Sequence, residues 1–353
     1  MAMEKLVESV PNISEGRSRE KIDQIAAQVR STPGVALLDV DPDPDHNRTV
    51  ISLVGPPEAV EEAVLRLAAK AVELIDLREH RGEHPRMGAV DVIPFVPIRG
   101  VSMKECVELS RRVGRRLAEE LKVPVYLYEE SAAKPERRDL AHIRRGEFEG
   151  FFEKIRQPGW EPDFGPREVH PTAGVTAVGA RPPLIAYNVN LGTDNLEVAK
   201  RIAQAVRGSS GGLRYVKALG FALEERGLVQ VSMNLTNYEK SPLFRVFELI
   251  KREAARYGVP VVSSEIVGLV PQRALTMVAE FYLQLEGFSE DQILENRIAK
   301  ALKEQAGAGS GARTAAAGAG DLPAEGTGEG GDGDRDGASP GRSRADRDPG
   351  GGP

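Results

Sequence analysis

The periodicities predict an α/β (α+β) protein: two subdomains side by side with a cleft between them, each in the ferredoxin-like order β-α-β-β-α-β, then a disordered C-terminal tail. Three observations carry this. Short β-rich runs alternate with helical stripes, the same order of elements occurs twice, and composition changes sharply after about residue 304. The expected divisions are 1–180, 181–304 and 305–353.

In the first half, residues 5–10 alternate as a strand, and Ser14-Glu-Gly16 turns the chain. Ile22, Ile25, Ala26 and Val29 form one face of a helix capped at Ser18 and stopped by Pro33-Gly34. Val35 to Asp39 and Thr49 to Val54 are β-rich, with one polar loop holding Asp41, Asp43, Asp45, His46, Asn47 and Arg48 between them. Pro56-Pro57-Glu58 opens a helix whose stripe is Val60, Val64, Leu67, Ala71 and Ile75. Val90 to Val96 is the next strand. A helix with Met103, Val107, Val113, Leu117 and Leu121 along one side follows, and then a strand at Val123 to Tyr128.

The second half repeats the pattern: a strand at Leu184 to Leu191, a helix marked by Leu196, Ala199, Ala203 and Val206, and strands at Arg214 to Leu223 and Leu228 to Leu235. Leu243, Val246, Phe247, Ile250 and Ala254 give another helical face, Val259 to Val267 closes the unit, and helical residues are expected from Gln272 to Glu304. The proline-rich stretch Gln157 to Pro166, with the only tryptophan, reads as a stiff connector between the halves, either framing a ligand cleft or packing as a strap.

The chain has 353 residues and a net charge of −6, which argues against a protein that grips nucleic acid through its phosphates. A single cysteine, Cys106, excludes an internal disulfide framework and paired-cysteine zinc sites. No apolar run approaches the roughly 18–20 residues that span a bilayer, and the first residues lack the apolar core of a signal peptide. A cytoplasmic protein without membrane contact is expected. From Gln305 onward there are 15 of the 37 glycines and one large aliphatic residue, Leu322, too little apolar surface to offset the entropy of ordering.

The densest polar cluster is His80-Arg-Gly-Glu-His84-Pro-Arg86-Met-Gly88-Ala-Val-Asp91. His80 and His84 have the i, i+4 spacing of a helical metal pair, but Gly82 and Pro85 oppose the helix such a pair needs, so no metal is expected. A loop histidine among arginines and carboxylates suits general acid–base work near neutrality instead. A surface histidine at a helix end is the structural alternative. Pro11-Asn12-Ile-Ser14-Glu-Gly16 and the 41–48 loop hold further candidates at strand ends. Gly208-Ser-Ser-Gly-Gly212 follows a helix instead of preceding one and so is not a phosphate cradle.

Five separated segments share a resemblance: Val7 to Gly16, Gly82 to Asp91, Pro162-Asp-Phe-Gly-Pro166, Ala186-Tyr-Asn-Val-Asn-Leu191 and Val267-Gly-Leu-Val-Pro271. In this order they resemble the glutamate formimidoyltransferases, over about residues 4 to 285. The resemblance implies transfer of a formimino group from N-formimino-L-glutamate to N5 of tetrahydrofolate during histidine degradation, with the folate held between two α/β subdomains. It puts the catalytic histidine at His84. It puts the folate-binding segment at Gly165, Pro166, Arg167, Glu168, Val169, His170, Pro171, Thr172, Ala173 and Gly174, of which His170 to Thr172 depart from the animal form. The animal relatives carry a cyclodeaminase domain where this chain has its low-complexity tail. A separate cyclodeaminase partner is therefore expected, and a homo-oligomer is possible.

Residue type adds Arg48 and Arg86 as forks for the donor's carboxylates, Asp41 to fix the histidine tautomer or hold the amidinium, and Asn12 for amide-like contacts. Either arginine could instead pair Glu83 or Asp91. Two rivals remain at this stage. One is formyl transfer from N-formylglutamate on the same scaffold; the other is an RNA-binding module of the same topology, which 5% aromatics and the absent RNP-type run disfavour.

Overall fold

The computed structural model describes residues 5–305, apart from Asp45, Glu83, His84 and Lys303. Packing divides the chain into compact units Met1–Phe288 and Ser289–Pro353. The first contains two sheets. The tail expected from 305 onward lies, Gln305 aside, outside the described residues.

The first sheet is built from β1 (Leu6–Ser9), β2 (Asn12–Ile13), β3 (Ala36–Asp43), β4 (Arg48–Gly55), β5 (Val90–Arg99), β6 (Val125–Glu129) and β7 (Thr176–Ala180). Its order is β3, β4, β1 with β2, β5, β7, β6. β1 and β2 are one line of chain bent at Val10-Pro11, and both pair antiparallel with β4 and β5. α1 (Arg19–Arg30), α2 (Pro57–Leu74) and α3 (Met103–Leu121) pack along one face. Ser18 caps α1 by accepting the Lys21 N–H, as the sequence predicts. Ser102 and Glu105 close a reciprocal capping box on α3. The apolar stripes that define these helices supply the core: Ile22, Ile25, Val60, Val64, Leu67, Val113 and Leu117 are all at most 2% exposed.

Three expectations change here. β3 and β4 run on to Asp43 and back from Arg48, so Asp41, Asp43 and Arg48 are strand residues and not part of a loop. Pro42 does not interrupt β3, because an edge strand has an unpaired side where the missing N–H costs nothing. β7 was not predicted as a strand; it inserts between β5 and β6, parallel to both. The Gln157–Pro166 stretch precedes β7 and therefore belongs to the first sheet. Only residues 181–184 link the two sheets in sequence.

That stretch is the packed strap of the two alternatives. Asp163 Oδ2 accepts the Leu127 N–H at 2.7 Å and Arg137 Nη1 at 2.9 Å. Arg137 is 1% exposed, donates Nη2 to the Gly159 and Glu161 carbonyls, and stacks on the Tyr126 and Trp160 rings. Below this strap lie α4 (Leu140–Arg144) and α5 (Glu147–Lys154).

The second sheet, β8 (Ile185–Leu191), β9 (Val216–Leu223), β10 (Leu228–Leu235) and β11 (Val261–Val267), is antiparallel throughout, in the order β11, β8, β10, β9. α6 (Leu196–Val206) and α7 (Leu243–Arg256) bury its apolar face. α8 (Gln272–Leu283) ends well short of 304: Gln284 takes a left-handed φ of 52° and caps the helix onto the Glu280 carbonyl. In the second unit a 3-10 turn at Glu290–Gln292 leads into helical residues 294–302.

Removing one partner of the buried Arg137–Asp163 pair leaves an uncompensated charge, which costs about 3–5 kcal/mol. Asp163→Ala is therefore expected to lower the urea midpoint sharply; an unchanged midpoint would show that the strap carries no such load.

Candidate active site

The loops at one end of the first sheet are held together by Asn47. This residue takes a left-handed φ of 48°, a conformation asparagine tolerates better than most side chains. Its Oδ1 accepts the Gly16 N–H at 2.9 Å, its Nδ2 donates to the Arg81 carbonyl at 2.9 Å, and its own carbonyl lies 2.8 Å from His80 Nε2. Three segments distant in sequence thus meet on one residue. Only glycine allows the approach: a Cβ on Gly16 would lie 2.2 Å from the Asp43 carbonyl oxygen, and one on Gly82 2.4 Å from that of His46.

The carbonyl of Asn47 can only accept, so His80 carries its proton on Nε2. Nδ1 is then free to accept Arg86 Nε–H at 3.2 Å. Both ring nitrogens are spent, and burial holds the imidazole below its ordinary pKa. His80 is a neutral structural post. Arg86, in turn, donates Nη1 to Glu147 at 3.0 Å and to Glu149 at 2.9 Å, and Nη2 to Glu149 at 2.6 Å. Its side chain is 10% exposed. The fork expected to take a substrate carboxylate, or to pair Glu83 or Asp91, is already filled by α5.

Arg48 is different. It lines a small polar pocket with Asn12, Ser14, His46, Asn47, Arg86 and Asp91. Its Nε is buried without a hydrogen-bond partner. Burial and the neighbouring Arg144 guanidinium press its pKa down, while Asp91, Asp43 and Asp41 oppose them. Asp43 faces Arg48 across the hairpin and also binds His46 Nδ1 at 2.6 Å. Asp41, two residues back on the same strand face, has its pKa raised by burial first and then by Asp39 and Asp43. Asn12 is buried and donates Nδ2 to the Val10 carbonyl at 2.9 Å. Asp91, 2% exposed, accepts the Met87 N–H at 2.8 Å and Arg144 Nη2 at 2.5 Å.

His84, the expected catalytic histidine, lies outside the described residues. The expected folate segment divides into two parts. Arg167 is spent on the Ile155, Arg156 and Gln157 carbonyls at the end of α5. Residues 170–174 form a tight turn in which His170 Nδ1 accepts the Ala173 N–H at 3.0 Å. This turn is fastened to both ends of the His80–Arg86 loop: Leu77 N–H donates to Thr172 and Ala89 N–H to Ala173, each at 2.9 Å. Gly174 is obligatory there, since a Cβ would lie 2.1 Å from the Met87 carbonyl oxygen. The structure therefore joins His170, Thr172, Ala173 and Gly174 to the polar loop and leaves Gly165 to Glu168 exposed beside α3 and α5. Sequence reading missed Arg144, Glu147 and Glu149. The signal was the charged run around Arg144-Arg-Gly-Glu-Phe-Glu149, which no motif flagged.

The polar, arginine-bearing pocket at the end of this helix-backed sheet is the candidate small-molecule site. Residues 6–181 match the formiminotransferase domain, N-terminal subdomain, and residues 186–307 match the formiminotransferase domain. The chain belongs to the formiminotransferase family. It is 54% identical to the glutamate formimidoyltransferase of Streptococcus pyogenes serotype M1, over 84% of this chain and 99% of that one. It is 52% identical to the glutamate formimidoyltransferase of Thermoplasma acidophilum, over 84% and 98%. The formimidoyltransferase-cyclodeaminase of Rattus norvegicus is 51% identical over 80% of this chain, which spans 53% of that longer protein.

His80 gives a pH prediction. The unfolded chain binds its proton near pH 6.5. The folded chain resists until a lower pH, so stability falls as pH drops from about 6.5 through the folded-state pKa. His170, also lowered by burial, acts with the same sign. Urea midpoints measured between about pH 6.5 and 5 should decline in the wild type and decline less in His80→Gln; parallel slopes would refute the assignment.

Proposed function

We propose that the chain transfers the formimino group from N-formimino-L-glutamate to N5 of tetrahydrofolate, releasing L-glutamate, as a step of histidine degradation in the cytoplasm. The observation that carries this reading is the 54% identity to a glutamate formimidoyltransferase over 99% of that protein's length. The pocket geometry agrees with the charge of the donor, a dicarboxylate with a cationic amidine.

N5 attacks the amidine carbon and a new N5–C bond forms. In the resulting tetrahedral adduct the proton on N5 must leave, and the glutamate nitrogen must gain one before its C–N bond breaks. His84 takes the first proton and delivers the second, which contributes roughly 10²–10⁴-fold. The =NH group stays on the transferred carbon, so the products are 5-formiminotetrahydrofolate and glutamate. Asp41 faces the amidinium or the imidazole. Arg48, whose Nε has no partner among the described residues, receives a donor carboxylate, and Asn12 contacts the planar polar groups. Residues 165–174 hold the folate, with 170–174 bringing it to the His80–Arg86 loop. Arg86 acts at one remove, by fixing that loop to α5. Placing two bound substrates in contact supplies much of the remaining acceleration, up to about 7–11 kcal/mol.

The test is incubation with tetrahydrofolate and N-formimino-L-glutamate, followed for glutamate release, beside N-formyl-L-glutamate as donor. Turnover of the formimino compound alone is expected; preference for the formyl compound would overturn the reading. His84→Ala should cut kcat by at least ~100-fold with folate still bound. Arg48→Ala should raise the KM for the donor more than that for tetrahydrofolate, and equal rises would refute its role.

A further inference from the structure

Buried polar groups in folded proteins nearly all find a hydrogen-bond partner, so each exception calls for an explanation. Among the described residues two buried side-chain polar atoms have none, Arg48 Nε and Arg144 Nε. They come from elements far apart in sequence, β4 and α4, yet they converge on Asp91: Arg144 binds its carboxylate and Arg48 lines the same pocket. Beside them lies Asp91, a carboxylate 2% exposed. It is committed through one oxygen to Arg144 Nη2 and through the other to the Met87 N–H. Two cations are thus crowded around a carboxylate that can satisfy only part of one of them.

Resting on the reading above, we propose that Arg48 and Arg144 together form the subsite for a carboxylate of the formimino donor and of the glutamate it leaves behind. An entering carboxylate meets Arg48 first, because Arg48 lines the pocket. It supplies the negative charge that relieves the Arg48–Arg144 repulsion. Seating it requires both side chains to turn their buried Nε–H edges toward its oxygens and the pocket to widen around it. Arg144 is presented by a braced helix. Lys154 Nζ binds the Ile143 and Arg145 carbonyls at 2.6 and 2.7 Å and sits 3.9 Å from the Trp160 ring. At the other end of α4, Asp139 caps the helix and pairs with Lys217 of the second sheet at 2.7 Å. The site therefore depends on an element that both sheets hold in place.

The same carboxylate chemistry occurs in the glutamyl tail of folate, so the experiment separates the two sources. Wild type, Arg144→Gln and Arg144→Lys are titrated calorimetrically with L-glutamate and with p-aminobenzoyl-L-glutamate, and donor and folate KM values are measured in parallel. The proposal expects glutamate affinity to fall at least tenfold in both variants, because lysine restores the charge toward Asp91 but not the Nε–H. The donor KM should rise while the folate KM and p-aminobenzoylglutamate affinity hold. Loss confined to p-aminobenzoylglutamate would assign the pair to the folate tail and overturn the proposal, as would unchanged glutamate binding. If neither variant folds, a crystal structure of the wild type with L-glutamate decides: a carboxylate oxygen within hydrogen-bond distance of Arg144 supports the subsite, and its absence there sinks it. A wild type that releases no glutamate from the formimino donor would instead refute the underlying activity.

Discussion

The polar end of the first sheet depends on one asparagine. Asn47 uses its side-chain oxygen, its side-chain nitrogen and its backbone carbonyl on three different segments, and it can do so only in a left-handed backbone conformation at the tip of a tight hairpin. Once that clasp is made, the tautomer of His80 is settled, and with it the orientation of Arg86 and the attachment of the His80–Arg86 loop to α5. Each step is a directional bond to a group with a single available role, so the arrangement propagates with little freedom. The glycines at 16 and 82 are the steric condition for it.

The two parallel strands added to the first sheet have a comparable consequence at the other side of the pocket. β7 lies between β5 and β6, and the residues leading into it must run beside the start of β5. That path fastens residues 170–174 to Leu77 and Ala89 by backbone hydrogen bonds. A segment about 85 residues downstream is thereby made part of the same wall as the polar loop. Among the described residues the second sheet has four strands, all antiparallel.

The alternating strands and amphipathic helices were legible because burial on one face imposes a period. β7 was not, since Thr-Ala-Val-Gly-Ala is buried on both faces and small throughout, leaving no alternation to detect. The break at Gln284 was hidden for a different reason: a left-handed cap on glutamine carries no composition signal. In the site, Asn12, Asp41 and Arg48 could be nominated from residue type at strand ends. Their surroundings could not, because the groups that decide what an arginine does come from α4 and α5, about 60 to 100 residues away. The sequence shows Arg86 and Arg48 as equivalent candidates, and only the positions of Glu147 and Glu149 separate them.

That separation is general for the arginines of this sheet. Arg137 is almost wholly buried, and its fork is filled by a carboxylate, two carbonyls and two aromatic faces. Arg167 closes a helix end on three carbonyls, and Arg86 binds two glutamates and a histidine. These three direct donors to groups of the fold itself: Arg86 and Arg137 are buried and fix the geometry around them, while the exposed Arg167 ties down a helix end. Arg48 and Arg144 retain donors that the chain itself does not satisfy. Among the described residues, these two are the arginines left with a buried, unpartnered Nε, and they share the surroundings of one carboxylate, Asp91. The carboxylate subsite proposed above rests on that incompleteness.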